Sequence, residues 1–228
     1  MAIPSHIGII IDGNRRWAKA RKRSTLVGHR EGLKNVKIVT RAAFKQGVKI
    51  VTIFAFSTEN WHRDKKEVDY LIKLFTSLVR TEIKGLIKNG IKVKFFGRVN
   101  DFPVSMRQAM KEAASFSSKG QSGQLNVCLS YGGRDEIVRA VKKIVKSRRP
   151  AQEVNEALIN RSLDTVGLPD PDLIIRTSGE QRLSGFLTWQ SVYSELYFSP
   201  KFWPDFGPDD LAAAISEYQR RRRRFGAN

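Results

Sequence analysis

Several short clusters carry the residue types from which phosphate and metal chemistry is made, and most of them follow an apolar run. The first is Asp12-Gly13-Asn14-Arg15-Arg16-Trp17. A carboxylate at such a point can hold Mg²⁺, and Gly13 lets backbone approach a ligand closely. Asn14 can cap a following helix whose N-terminal amides favour an anion. Arg16 adds a guanidinium suited to phosphate oxygens. An ordinary Asp-Gly turn with solvated arginines explains the same residues, and taken alone it is the better account. His29, placed just before an expected helix, reads as a second anion contact or as a structural cap. The second cluster, Ser57-Thr58-Glu59-Asn60-Trp61-His62-Arg63, is dense in hydrogen-bonding types and points to a binding loop. Its plainer account is a helix cap at Ser57 or Thr58 with Trp61 packed on the surface. His62 has no metal partner at ligand spacing and reads as solvent-facing.

Two more clusters complete the set. Arg176-Thr177-Ser178-Gly179-Glu180-Gln181-Arg182-Leu183-Ser184-Gly185-Phe186 is a glycine-punctuated loop whose arginines and hydroxyls suit the many acceptor oxygens of a diphosphate. Glu195 stands among Tyr193, Leu196, Tyr197 and Phe198. A carboxylate in such company is paired or bound to something, a buried ion pair with an arginine being the plain case. Tyr131-Gly132-Gly133-Arg134 permits a tight turn, for which a structural role is at least as good an account as ligand contact. A Ser/His/Asp elbow, a zinc-spaced Cys/His set, a Walker loop and a dinucleotide fingerprint are all missing. One carboxylate with several arginines and no nucleophile suggests catalysis by holding and ionising a phosphorylated leaving group.

The elements that must position these clusters follow from periodicity. Short apolar, β-branched runs predict strands at His6–Ile11, Lys49–Ala55, Lys92–Phe96, Leu125–Ser130, Leu173–Arg176 and Glu195–Phe198. Helices are predicted over Glu31–Gln46, Val68–Ile87, Val104–Ser117, Asp135–Ser147 and Pro208–Arg224. Val68–Ile87 shows the widest apolar face, with Val68, Leu71, Ile72, Phe75, Leu78, Val79, Ile83 and Leu86 at spacings of three and four. Strands alternating with helices give an α/β fold with a mainly parallel sheet buried on both faces. Ligands bind beyond the carboxyl ends of such strands, where most of the clusters fall.

Composition sets the outer limits. The 228 residues fit one α/β domain or at most two small ones, and 41% hydrophobic content supplies a core and excludes a disordered chain. No run approaches the roughly 18–20 apolar residues of a membrane span. The apolar run Ile7–Ile11, broken by Asp12, is no signal peptide. The single cysteine, Cys128, allows no internal disulfide, fits a reducing cytosol, and reads as a small buried hydrophobe. A net charge of +19 demands an anionic partner, whether nucleic acid, anionic membrane or phosphorylated metabolite. Beyond the charge only the Arg220–Arg224 run favours nucleic acid, its plainer account being a solvated helix face, and the chain lacks an RNA-recognition aromatic signature or a helix-turn-helix pattern.

At these residues the chain resembles the cis-prenyltransferases, which build long Z-polyprenyl diphosphates. Ile9–Asn14 with Arg16-Trp17-Ala18 and Gly28-His29-Arg30-Glu31-Gly32 is similar to the family's first signature. Phe54 through Trp61, with Arg63 and Glu67, resembles the second, and Asn126 through Arg134 the third. Arg176–Glu180, Arg182-Leu183-Ser184, Phe186-Leu187, Trp189-Gln190 and Tyr193–Phe198 resemble the last, with Trp203-Pro204-Asp205-Phe206 and Arg223-Arg224-Phe225-Gly226 at the end. The resemblance implies one domain over 1–228, a six-stranded mostly parallel sheet surrounded by helices, and a homodimer. It implies condensation of isopentenyl diphosphate onto an allylic prenyl diphosphate primer such as farnesyl or geranyl diphosphate. The product would be a lipid carrier for glycan assembly such as undecaprenyl diphosphate.

The resemblance also implies roles. Asp12 holds Mg²⁺ on the diphosphate, with Glu195 supporting the metal or its arginine shell. Asp12 and Asn60 are the catalytic pair. Gly13, Asn14, Arg15, Arg16, Trp17 and His29 surround the allylic diphosphate. Ser57, Thr58, Glu59, Trp61 and Arg63 share the mobile loop of Asn60 near the reacting carbons. Arg176, Arg182 and Ser184 bind isopentenyl diphosphate. Arg224-Phe225-Gly226 reaches the partner's active site. The location implied is cytosolic, with peripheral contact at an anionic membrane and no nucleic-acid partner. Val68–Ile87 would wall a tunnel for the growing chain, opposite Ile53 and Ala55, and Gly123 would leave its floor open. Three departures stand out: Arg15 replaces a usual glycine, Thr25 a frequent arginine, and Asp64 a common proline. A noncatalytic subunit of a prenyltransferase pair is disfavoured by retention of Asp12, Arg176, Arg182 and Ser184.

Overall fold

The computed structural model describes residues 2–221. All the expected strands form, as β1 (His6–Ile10), β2 (Ile50–Ser57), β3 (Ile91–Phe96), β4 (Gly123–Tyr131), β5 (Leu173–Arg176) and β6 (Glu195–Phe198). They make one six-stranded sheet in the order β3-β4-β2-β1-β5-β6. Every pairing is parallel, so the sheet is more uniform than the mostly parallel one expected. The helices are α1 (Asn14–Ala20), α2 (Thr25–Lys45), α3 (Lys65–Ile87), α4 (Val104–Phe116), α5 (Gly133–Lys146), α6 (Glu156–Ser162) and α7 (Pro208–Arg220). Residues 222–228, including the expected end of α7 and Arg224-Phe225-Gly226, lie outside the described residues. No helix among the described residues is long and apolar enough to cross a membrane.

The strands are apolar in unbroken runs because both faces of the sheet are covered. On one face Ile7, Ile9, Val51, Ile53, Leu125 and Ile175 meet α2, α3, α4 and α7 through Val36, Phe75, Met106 and Leu211. On the other, Ile10, Phe54, Phe96, Cys128 and Ile174 meet Phe186 and Leu187 from the β5–β6 connection. Cys128 is fully buried, as its sequence context suggested, and burial pushes its thiol well above the ordinary value. In β2 the register slips between Phe54 and Phe56, a bulge that leaves Ala55 unpaired beside the strand end.

Two helices escaped the periodic signal. α1 and α6 are seven residues each, under two turns, too short for a 3.6-residue repeat to register. α2 starts at Thr25, capped by Ser24, six residues before the expected Glu31. Gly28 and Gly32 lower helix propensity there, yet packing needs them. A Cβ on Gly28 would stand 2.1 Å from the Asn14 carbonyl oxygen, and one on Gly32 would stand 2.1 Å from Asn14 Oδ1. The pair lets α1 press against α2. Trp203 closes the third side, donating its indole N–H to the Gly32 carbonyl at 2.6 Å, while Asn35 donates to the carbonyls of Trp203 and Phe206.

Gly28→Ala should therefore destabilise by about 1–3 kcal/mol, because backbone oxygen must move to admit the methyl. Gly85→Ala, whose Cβ meets nothing nearer than 3.6 Å, should stabilise by up to ~1 kcal/mol through helix propensity. Urea unfolding of the two variants checks both signs, and a Gly28→Ala protein as stable as the parent would refute the packing argument.

Candidate active site

The tips of β1, β2, β4 and β5 converge on an open cavity of about 960 Å³. Asp12 hangs just beyond β1, and its carbonyl accepts hydrogen bonds from Thr177 Oγ1 at 2.7 Å and from the Trp203 amide at 3.0 Å. Its carboxylate Oδ2 lies 2.9 Å from Arg176 Nη2 and 3.1 Å from Arg16 Nη2. Burial opposes ionisation of Asp12, but hydrogen bonds and charge from Arg176 and Arg16 outweigh it and hold the carboxyl below its ordinary value. Arg176 ends β5 with a side chain only 6% exposed. It donates from Nη1 to Ser184 Oγ at 2.8 Å and to the Arg182 carbonyl. Arg16 reaches across to Glu180 at 2.8 Å and to Ser178 Oγ, so the first and last clusters interlock.

The backbone is forced into this shape. Gly13 has φ 105°, and a Cβ there would come within 2.8 Å of Ser178 Cβ, so no other residue type fits. In the last loop Ser178, Ser184 and Leu187 adopt positive φ values of 76°, 50° and 45°. Non-glycine residues in that region persist only where surrounding contacts hold them, and they gather at functional sites.

A second cluster of charge lies on Glu67, one turn into α3. Its Oε1 is 3.1 Å from His29 Nε2, 3.3 Å from Arg63 Nη1 and 3.9 Å from Arg15 Nε. Burial lowers the proton affinity of His29 more than Glu67 raises it, and Arg63 and Arg15 add to the lowering, so the ring is neutral at pH 7. Asp64, the departure before α3, caps that helix by accepting from Lys66 N at 2.8 Å. It fixes the loop end by a hydrogen bond in place of a ring.

Asp12, Gly13, Asn14, Arg15, Arg16, His29, Ser57, Thr58, Glu59, Asn60, Arg63, Arg176 and Ser184 all line the cavity. Asn60 Oδ1 accepts from the Ser57 amide at 3.0 Å. Apolar walls continue from this polar end through Leu33, Phe54, Ala55, Leu71 and Phe75.

Several expectations need correction. Asn14 does not cap α1; Gly13 occupies the cap position and Asn14 is the first helical residue. His29 is buried within α2, not placed before it. Trp17 lies outside the cavity lining, its indole N–H bonded to Asp205 at 2.7 Å and Arg21 stacked on its ring. Trp61 also lies outside it, donating to Ser130 Oγ at 2.9 Å and packed edge-on to Phe56. The Arg182 side chain is exposed and pairs with Glu180, contributing its carbonyl to Arg176. Glu195 opens β6 level with Leu173, well below the strand tips, and its carboxylate pairs with Arg221 at 2.8 Å. Within one chain it has no access to Asp12. Gly123 leaves no open floor, since a Cβ there would strike the Phe44 ring at 2.8 Å. Glu67 is the contributor the motif reading undervalued. Its spacing of four from Arg63, with opposite charge, was the available signal.

The family model described as putative undecaprenyl diphosphate synthase matches residues 10–226. The chain belongs to the undecaprenyl diphosphate synthase family. An isoprenyl transferase of Bacillus cereus (strain ATCC 10987 / NRS 248) is 46% identical, with 98% of this chain and 88% of that protein covered. The ditrans,polycis-undecaprenyl-diphosphate synthase of Micrococcus luteus, specific for (2E,6E)-farnesyl diphosphate, is also 46% identical, over 98% of this chain and 92% of its own. The crystal structure of lavandulyl diphosphate synthase from Lavandula x intermedia, in complex with dimethylallyl diphosphate, superposes with TM-score 0.95 at 37% identity, covering 98% of both chains. Membership makes the protein a prenyltransferase and agrees with the resemblance and the parallel α/β sheet.

The environment of His29 gives a direct check. His6, His29 and His62 are the only histidines, so imidazole resonances are few. His29 should titrate below its ordinary value near 6.5. Glu67→Gln removes the acceptor that favours imidazolium and should move the titration lower still. Because the folded value is the depressed one, His29 adds stability as pH rises through the interval between folded and unfolded values. An unchanged titration in Glu67→Gln would dissociate the pair.

Proposed function

We propose that the chain condenses isopentenyl diphosphate onto an allylic prenyl diphosphate primer of the farnesyl or geranyl type, giving a long Z-polyprenyl diphosphate. The observation that carries this reading is the composition of the cavity: arginines and a carboxylate at the strand tips, continuous with apolar walls from α2, α3 and β2. A prenyl diphosphate has that same division into anionic head and apolar tail. Arg16, Arg15, Arg63 and neutral His29 would face the primer diphosphate, while Arg176, Ser184 and the Arg182 loop would receive isopentenyl diphosphate.

In the reaction the primer C1–O bond breaks, pyrophosphate departs with the bonding electrons, and the isopentenyl double bond attacks C1. Loss of a proton from the isopentenyl C2 then leaves the new double bond. Arginines preset at the strand tips would stabilise charge on the departing oxygens without reorganising. Asn60 lies beside Ser57 and the apolar wall, where the reacting carbons would meet. Mg²⁺ fits the donor set: one carboxylate held ionised at a strand tip, with substrate phosphates to complete the shell, is how Mg²⁺ is commonly bound. It would be held by Asp12 and would supply charge neutralisation on the diphosphate. Glu195 has no place in that set within one chain.

Incubation with labelled isopentenyl diphosphate, primer and Mg²⁺ should yield extended products, and Asp12→Ala should lower turnover by orders of magnitude. Asp12→Ala also removes the partner of the buried Arg176, so its unfolding midpoint should fall too. Ala55→Leu should shorten the products while the first condensations continue, because a packed wall cannot absorb the added volume. Full-length products from a folded Ala55→Leu protein would remove Ala55 from the tunnel wall.

We further propose a homodimer that meets anionic membranes peripherally. Val138, Val141 and Val145 form one stripe along α5 and are 51%, 47% and 70% exposed, as a face awaiting a second copy would be. The charge of +19 suits a surface on which each Lys or Arg contributes about 1 kcal/mol. Val141→Asp should shift the sedimentation coefficient toward that of a monomer, and vesicle binding should weaken as salt rises. A Val141→Asp protein still dimeric would move the interface elsewhere.

A further inference from the structure

The turn Tyr131-Gly132-Gly133-Arg134 has a role that the family motifs leave open. Its two glycines serve packing. The Gly133 amide donates to the Gly185 carbonyl at 2.7 Å, and a Cβ on Gly133 would fall 2.2 Å from Thr188 Oγ1. The turn is thereby fixed against the loop that carries Ser184. Behind it, buried Glu136 accepts from Tyr131 Oη at 2.5 Å, from Gln190 Nε2 at 3.0 Å and from the Asp164 amide at 2.9 Å. The first turn of α5 is thus held from both sides.

Arg134 is the exception. Its side chain is exposed at the cavity wall, and no carboxylate pairs with it among the described residues. The other arginines lining the cavity all have one within 4 Å: Arg15 and Arg63 on Glu67, Arg16 and Arg176 on Asp12. The neighbouring Asp135 is taken by Arg139 at 2.8 Å. A rigid backbone that presents a guanidinium with no internal partner, beside Arg176 and Ser184, is the arrangement of an anion-binding residue.

We propose that Arg134 is a third binding residue for the second diphosphate, joining Arg176 and Ser184, and that it also holds inorganic pyrophosphate at that position. The proposal rests on the reading of the cavity as a prenyl-transfer site. It specifies that Arg134 acts on affinity for isopentenyl diphosphate and not on the primer or the chemical step.

Steady-state kinetics of the whole protein provide the test. Arg134→Ala should raise KM for isopentenyl diphosphate about tenfold, leaving kcat and the primer KM within twofold. It should weaken inhibition by inorganic pyrophosphate in parallel. Arg134→Lys should recover part of the loss, since it keeps charge without the fork. Lys111→Ala, an exposed cation of α4 outside the cavity, should change nothing. The thermal midpoint of Arg134→Ala should match the parent, because the side chain has no internal partner to lose; Arg134→Gln repeats the measurement with less volume removed. Unchanged KM for isopentenyl diphosphate, a primer KM rising equally, or a fall confined to kcat would each overturn the assignment. If the parent protein fails to condense substrates, the catalytic reading fails on its own. Calorimetric binding of inorganic pyrophosphate then decides Arg134 separately, with weaker binding by Arg134→Ala upholding it and equal binding overturning it.

Discussion

A guanidinium buried at the end of β5 governs this site. Arg176 follows Leu173, Ile174 and Ile175, which pair with β1 in strict register, Ile10 opposite Arg176. The strand delivers the arginine to a place where it is almost sealed from water, and a buried charge without partners costs several kcal/mol. Partners are therefore obligatory. Asp12 supplies one from the neighbouring strand tip, while Ser184 and the Arg182 carbonyl supply two from the loop ahead. Satisfying one residue ties three segments together, and it accounts for the left-handed Ser184, while the left-handed Ser178 is held by Arg16.

The rest of the fold holds Asp12 where Arg176 needs it. Its carbonyl is fastened by Thr177 and Trp203, and Trp203 is fastened to α2 through Gly32. The glycines of α2 admit α1, and α1 brings Arg16 over Asp12 and Ser178. Packing and charge placement are consequently the same problem here. Loss of a methyl's clearance at Gly28 acts on the same ion pairs as loss of a carboxylate. The second charged group, centred on Glu67 of α3, is tied to the same framework through Arg15 of α1 and His29 of α2.

The strand skeleton was legible because parallel strands buried on both faces must read as continuous apolar runs. β5 and β6 were located to the residue, and the others lay within a residue or two at most ends. Cluster membership was legible for the same reason: residues directly after such runs must lie at one edge of the sheet. What a linear pattern cannot convey is direction. Trp17 and Trp61 belong to the clusters but turn away, because an indole N–H and a broad apolar ring are best satisfied against Asp205 and against Ser130 with Phe56. Glu195 reads as a site carboxylate by its neighbours, yet register puts it at the start of its strand instead of the end. His29 was misplaced because Gly28 and Gly32 disguised the beginning of α2. Gly123 looked like missing volume, but Phe44 fills it from another element.

The pairing of nearly every cavity arginine with a carboxylate constrains how anions can enter. A carboxylate that already serves Arg16 and Arg176 cannot give all its acceptor capacity to a cation as well. On the proposed reading the exchange resolves itself when a diphosphate arrives. Its oxygens would take over as acceptors for the two guanidiniums, leaving the Asp12 carboxylate able to hold Mg²⁺, which would supply charge neutralisation on the diphosphate. The ion pairs of the free protein are then placeholders that keep the arginines oriented and the cavity near neutral locally until phosphate replaces them. Preorganisation of this kind lowers the reorganisation needed at the moment of reaction. It also explains why a chain with so large an excess of basic residues spends scarce carboxylates, Asp12, Glu67 and Glu180, at the one place where anions must bind. Without them the guanidiniums would repel one another and splay into solvent. With them the geometry is already set, and binding becomes an exchange of partners.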